Sequence, residues 1–348
     1  MDYEASETDS KQLKRLVIPK AFRETIEELK KLNIAIPFSP SNIELNFNNY
    51  IFPPNGELVS AIDEIKAVDL DPKEGSSILN EKWSITAYDE SLNKFSALEG
   101  TAYLTSHSMV LMGKEDFLPV NLMTLYFYTR SKAITDKSQF IRYSEDPDMD
   151  SKKDYVKDKI KLLEEYVPDN SILLIDGPLI GGDVYTFMIA AIKKFSERGI
   201  IPIFFVKNSS SNLVTDNIPN LRYSFNTDMH WAYRWLNRGQ RTNFFRYVDR
   251  NNPKNAKVFC YLKAFNLSPQ RVEFHVDTYK QYEEFIPSLM NLVYYFLLVQ
   301  GDMKNPQLRP IAIAEKYARE TIKLVDINDL LRTVGLIPTM NEERGMVW

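Results

Sequence analysis

Ser171-Ile172-Leu173-Leu174-Ile175-Asp176-Gly177-Pro178-Leu179 decides how this chain is read. An unbroken apolar run ends at one carboxylate, and a turn follows at Gly177 and Pro178. A strand buried on both faces of an α/β sheet has this pattern, with the charge set at its mouth. A weaker copy stands upstream at Trp83-Ser84-Ile85-Thr86-Ala87-Tyr88-Asp89-Glu90-Ser91, where Asp89 holds the matching place. Two acids at strand ends, side by side in a central sheet, can hold a divalent metal. The plainer reading makes each a turn Asp that caps the element after it.

The segments around the first stretch extend the pattern. Residues 154–166 read as a helix, with Val156, Ile160 and Leu163 on one side and Pro168 just beyond. Residues 183–198 read as a second helix stopped by Gly199, and residues 200–206 as another strand. Helix, strand, helix, strand in succession predicts an α/β sheet. Upstream, residues 83–113 are strand-rich with turns near Asn93 and Gly100, and residues 120–129 add a strand. Residues 131–151 are polar and read as a loop. Downstream, a helix is expected over residues 226–238, strands over 257–264 and 271–275, and helices over 282–299 and 311–321. At the start, residues 11–32 carry a helical apolar stripe, ended by Pro37 and Pro40, and residues 33–80 read as irregular. No internal repeat or low-complexity tract stands out.

Composition sets limits. A chain of 348 residues, 44% hydrophobic and 26% charged, can bury a large core in one elaborate domain or two. The single cysteine, Cys260, excludes an internal disulfide framework and a cysteine-built zinc site. Met1-Asp2-Tyr3-Glu4 lacks a signal-peptide pattern, and the run from Leu289 to Val299, broken by Asn291, is too short to span a bilayer. A cytoplasmic location without membrane attachment is the expectation. The formal net charge of -4 gives no global pull toward nucleic acid, so such binding needs a local basic patch.

Several residues are candidates for chemistry. Asp158 lies on the helix leading into the strand that ends at Asp176; it is either a third carboxylate for the ion or a solvated helix residue. Asp154, one turn away, and Glu164 or Glu165 are alternatives. Lys207 follows Phe204-Phe205-Val206 and precedes three serines, and can contact a phosphate or restrain a carboxylate. Arg238 and Arg241 form a basic turn after Trp231 and Trp235, suited to a DNA backbone, while the tryptophans at i and i+4 suit a core. His107, His230 and His275 form no zinc motif and read as packing or hydrogen-bonding residues. Glu315, among small and apolar residues, either faces a metal site or the solvent.

Taken in order, these pieces resemble the NurA nuclease family over about residues 83–345. The matching stretches are Ala87-Tyr88-Asp89-Glu90-Ser91, an acid-bearing helix, Leu174-Ile175-Asp176-Gly177-Pro178-Leu179, and Val206-Lys207-Asn208-Ser209. They continue with residues 236–242, with Arg271-Val272-Glu273-Phe274, and with residues 310–319. The resemblance implies an RNase H-like mixed central sheet flanked by helices. Residues 1–80 are then an irregular and helical N-terminal extension, and residues 81–348 a NurA-like nuclease domain. It implies a DNA nuclease of the 5′ to 3′ exonuclease and single-strand endonuclease type, dependent on Mn²⁺ or Mg²⁺. It further implies a ring-like homodimer that works with a HerA-type hexameric ATPase translocase on DNA ends, in repair or defence. Metal roles fall on Asp89 and Asp176, more loosely on Asp158, and on Glu315, with Lys207 beside them. This chain departs from the family pattern at Glu90, where glycine is usual, and at Gln307 and Glu315, where tyrosine and histidine are usual. Glu315 keeps an oxygen donor suited to a hard ion but loses the imidazole. Two further readings follow: a catalytically weak or inactive DNA-binding clamp of a translocase complex, and an RNase H-like enzyme acting on RNA, which the acids alone do not distinguish.

Overall fold

The computed structural model describes residues 58–339, apart from positions 63, 82, 114–115, 136–140, 181–184, 218–220, 222–223, 249–255 and 334. All of them belong to one compact unit, Ile43–Trp348. The helix expected over residues 11–32 lies outside the described residues. The chain begins with β1 (Leu58–Ala61), β2 (Val68–Asp69) and α1 (Pro72–Ser77), then β3 (Ser84–Ser96), β4 (Thr101–Met112) and β5 (Phe117–Thr129). It continues through α2 (Lys132–Thr135), β6 (Ile141–Tyr143), α3 (Pro147–Tyr166), β7 (Ser171–Asp176), α4 (Tyr185–Glu197) and β8 (Ile201–Val206). The last part holds α5 (Asp228–Trp235), β9 (Gln240–Arg241), β10 (Phe245–Val248), β11 (Ala256–Lys263) and β12 (Gln270–His275). Helices α6 (Val276–Gln281), α7 (Ile286–Gln300), α8 (Arg309–Ile322) and α9 (Ile327–Thr333) close it.

The strands form one mixed sheet in the order β1-β10-β11-β12-β8-β7-β3-β4-β5-β6, with β9 and β2 paired beside β11. Within it, β3, β4 and β5 pair antiparallel, β7 lies parallel to β3, and β8 parallel to β7. That is the expected RNase H-like arrangement. β7 and β8 are central because they are apolar on both faces and can be covered only by helices on both sides. Alternation divides their side chains. Leu173, Ile175 and Phe204 join Tyr88, Leu162, Leu163 and Phe195 under α3 and α4. Ile172, Leu174, Ile203 and Phe205 join Ala87, Leu292, Val293 and Ile311 under α7 and α8.

Several boundaries differ from the sequence expectation. Asn93 lies inside β3, so β3 and β4 are long strands joined by one turn near Gly100. The polar stretch 131–151 contains α2, β6 and the first turn of α3, which starts at Pro147 because Asp146 caps it by accepting from the Met149 amide at 3.0 Å. Residues 58–80 are part of the sheet and its cover: β1 pairs with β10, β2 with β9, and α1 lies on α7. Asn291, the polar break in an otherwise apolar helix, secures that contact. Its side chain accepts from the Asp71 amide at 3.0 Å and donates to Glu74 at 2.8 Å. Gly75 permits the approach, since a Cβ there would meet the Asn291 carbonyl oxygen at 2.2 Å. Among the described residues no helix is long and apolar enough to cross a membrane.

Candidate active site

Register builds the site. Tyr88 pairs with Ile175 across parallel strands, so the next residues, Asp89 and Asp176, stand side by side. Asp176 pairs in turn with Phe205, two residues before Lys207. All three have the parity of Ala87, Leu174 and Phe205, and project on the α7–α8 face of the sheet. Helix α8 crosses that face and brings Glu315 to them. Lys207 Nζ lies 3.1 Å from Asp176 Oδ2 and 3.5 Å from Glu315 Oε2. Glu315 also accepts from Gln307 Nε2 at 2.6 Å and pairs with Arg319. Gln307 and Glu315, both expected departures in the sequence, thus touch each other. Gly177 turns the chain just past Asp176 with φ 94°, a conformation that side-chain-bearing residues avoid.

The centre is electrostatically strained. Burial, then the Asp176 charge, then Glu90 push the Asp89 carboxyl up to about 8, against a hydrogen bond from the Glu90 amide at 2.7 Å. Burial also raises Asp176, whose Oδ1 is buried and accepts no hydrogen bond among the described residues, while Lys207 opposes that rise. Burial alone would lower Lys207; Asp176 and Glu315 hold it above the ordinary lysine range. Two facing carboxylates whose ionised forms burial disfavours, and one orphaned buried oxygen, fit a divalent cation, which would relieve both. Against this, among the described residues no three His, Cys, Asp or Glu side chains converge at metal-binding spacing. Lys207 takes the place of the third partner.

Other candidates lie elsewhere. Asp158 is on the opposite face, where α3 covers β5, accepting from Thr124 Oγ1 at 3.1 Å and Tyr126 Oη at 2.7 Å. Asp154 beside it takes Tyr128 Oη at 2.6 Å. The structure therefore does not bring Asp158 to Asp89 and Asp176. Glu90 also points to that far side, toward Lys159 at 3.4 Å. Arg238 is exposed at the end of α5, but Arg241 is only 7% exposed, lies over Phe244 and donates to the Thr242 carbonyl at 2.9 Å. A guanidinium held there does not face solvent or a phosphate. Trp231 is fully buried and stacks on Trp235 at 5.0 Å, a core role for the pair. The histidines make local hydrogen bonds: His107 Nδ1 with Tyr88 Oη, His275 Nδ1 from the Asp277 amide, and His230 Nδ1 from the Asn226 amide.

A buried ionic cluster braces the two loops that carry the site. Glu273 on β12, fully buried, accepts from Lys257 Nζ and Arg271 Nε at 2.7 Å each and from the Leu179 amide at 2.9 Å. Arg271 also donates to Ser209 at 2.8 Å and Ser211 at 2.5 Å. The loop after Asp176 and the loop after Lys207 are thereby tied to one strand. Burial alone would raise Glu273, yet Lys257 and Arg271 bring it below the usual carboxylate range. Two opposite charges two residues apart, Arg271 and Glu273, on one face of a fully buried strand were the sequence signal for this cluster.

Fold and carboxylate pair define an RNase H-like α/β protein with an acidic centre at the ends of adjacent parallel strands. The sequence matches the NurA domain over residues 124–320, more than half of its length, and the chain belongs to the NurA family. The crystal structure of the NurA nuclease from Sulfolobus solfataricus shares the fold, with a TM-score of 0.52 at 11% identity, covering 91% of this chain and 98% of that one. Also similar are the crystal structure of NurA with manganese (TM-score 0.40, 11% identity, 88% and 97% covered) and that of NurA bound to dAMP and manganese (0.39, 8%, 70% and 88%). No curated protein matches the sequence.

Proposed function

We propose that this member of a nuclease family is a divalent-metal-dependent deoxyribonuclease whose centre is Asp89 and Asp176. The observation that carries the reading is their register-matched placement, which sets the Asp176 charge against Asp89 and, among the described residues, leaves Asp176 Oδ1 without a partner. Asp89 and Asp176 would hold a Mn²⁺ or Mg²⁺ ion, with Glu315 joining when Lys207 gives way. A bound ion of this kind polarises a phosphate and activates water. Lys207 neutralises the carboxylates at rest and, released, faces the phosphate. Gly177 sets the angle at which the Asp176 strand ends.

The test is cleavage of labelled single- and double-stranded DNA, with RNA of the same sequence alongside, with and without Mn²⁺. Asp89→Asn and Asp176→Asn should each abolish metal-dependent cutting while the melting curve stays cooperative. Full activity in both variants would sink the reading; preference for RNA would move it to another substrate. The order of products on end-labelled and circular strands tests the 5′ to 3′ exonuclease and single-strand endonuclease assignment. The family resemblance also supports a homodimer acting with a HerA-type translocase in DNA end processing, tested by light scattering and by ATP-dependent stimulation of cutting.

A specific observation favours a second reading. Lys207 bridges Asp176 and Glu315, so the centre carries its own cation. A DNA-binding clamp that has lost catalysis would have such a centre, and would bind DNA equally with and without Mn²⁺ while cutting in neither.

A further inference from the structure

A groove runs away from Lys207. A small hollow of about 190 Å³ opens between Lys207 and Lys304, just ahead of Gln307, the residue that donates to Glu315. It shares Asn208, Leu267 and Ser268 with a larger cleft of about 840 Å³. The far wall of that cleft is α5, where His230 and Tyr233 sit one helical turn apart. Lys263 fixes the Tyr233 ring, its Nζ 4.1 Å from the centroid and 2.8 Å from the Tyr233 carbonyl. The floor is the Asn208-Ser209-Ser210 loop that Arg271 ties down. Among the described residues neither hollow is lined by a carboxylate, although the chain is net negative and the groove starts beside an acidic centre.

We propose that this groove binds an unpaired polynucleotide strand and feeds it to the Asp89–Asp176 centre, with bases stacked against Tyr233 and His230 and phosphates met by Lys304 and the Asn208–Ser210 loop. The proposal rests on the nuclease reading for its direction but concerns binding alone. Two rings on one wall and hydroxyls, amides and lysines on the others suit a strand whose bases are splayed from their partners. A duplex, with its bases stacked inside, offers nothing to the rings.

The test uses the full chain in EDTA, so that no cutting intervenes, and fluorescence anisotropy with labelled dT15, rU15 and a 15-base-pair DNA duplex. Tyr233→Leu should weaken single-strand binding about tenfold, from the loss of one stacked base, with duplex binding unchanged and Tyr233→Phe close to the parent. Lys304→Gln should lower the slope of log affinity against log salt by about 0.7 on single strands. Leu267→Glu, at a half-exposed position, keeps the test independent of the fold of Tyr233→Leu, and should weaken dT15 several-fold by placing a carboxylate in the groove. The ratio of dT15 to rU15 affinity identifies which sugar the groove takes. Parent-like binding in Tyr233→Leu and Leu267→Glu, or an equal loss on the duplex, would overturn the groove. Loss of binding in these variants with no Mn²⁺-dependent cutting by the parent would retain the groove and overturn the nuclease. Cutting by the parent with parent-like binding in the variants would do the reverse.

Discussion

At the residue scale, Asp89 and Asp176 were legible because an apolar run that ends in one acid leaves little choice of where the carboxylate goes. Asp158 was not, because a helix offers an acid several faces and only the packed structure selects one; it selected the hydroxyls of β5. Arg241 misled for a related reason, since an arginine beside aromatic residues in sequence can stack into the core as readily as face solvent. Glu315→Gln should lower Mn²⁺ affinity about tenfold or more by calorimetry, whether it is a ligand or only Lys207's second partner, with DNA binding in EDTA unchanged. Unchanged Mn²⁺ affinity would remove Glu315 from the centre. His107 gives a pH prediction. Burial depresses it to about 4, so the folded chain holds it neutral beside Tyr88 while the unfolded chain protonates it near its ordinary 6.5. The unfolded state then binds more protons between those values, and stability present above pH 6.5 is lost as pH falls toward 4. That loss should amount to roughly 3 kcal/mol and be absent in His107→Gln. Urea titrations at pH 7, 5.5 and 4 read it; parallel curves for both proteins would refute it.

At the element scale, β7, β8 and the helices around them were legible from apolar runs and stop signals, because a strand buried on both faces has no polar periodicity to confuse the reading. Short edge elements were not, since β1 and β2 are strands only by virtue of their partners β10 and β9. The α1–α7 contact also escaped notice: it depends on the close approach of Gly75 to Asn291 and on the hydrogen bond from the Asp71 amide to Asn291, 220 positions away. Gly75→Ala should push α1 off α7 and cost about 1–3 kcal/mol by chemical denaturation, since the obstruction is backbone. Glu273→Gln keeps an acceptor for Leu179 but strands Lys257 and Arg271, both buried, and should cost about 3–5 kcal/mol. Wild-type stability in either variant would show that the surroundings relax freely.

At the scale of the whole molecule, alternating helices and strands announced an α/β sheet, and the matched stretches announced its RNase H-like order. What lay beyond reach was its continuation through β12, β11 and β10 to β1, because β12 meets β8, and β1 meets β10, across long stretches of intervening chain that leave no local pattern of pairing. The continuation changes where a fragment can begin. A chain started at residue 81, the boundary that the family resemblance implied, would leave the outer side of β10 and the α1 face of α7 bare. It should aggregate or melt without cooperativity in size-exclusion and calorimetric measurements. A monomeric, sharply melting fragment would show that residues 58–80 are dispensable.

The buried Glu273 carboxylate also sets an order of events in time. Its donors come from β11, from its own strand and from a loop 94 positions earlier, so they assemble only when those regions have docked. Until then the charge must keep its water, because an unmatched ion in the interior costs several kcal/mol. We expect the rate-limiting step of folding to precede that desolvation, with the loops after Asp176 and Lys207 setting last. In stopped-flow experiments Glu273→Gln should speed unfolding and leave the refolding rate nearly untouched.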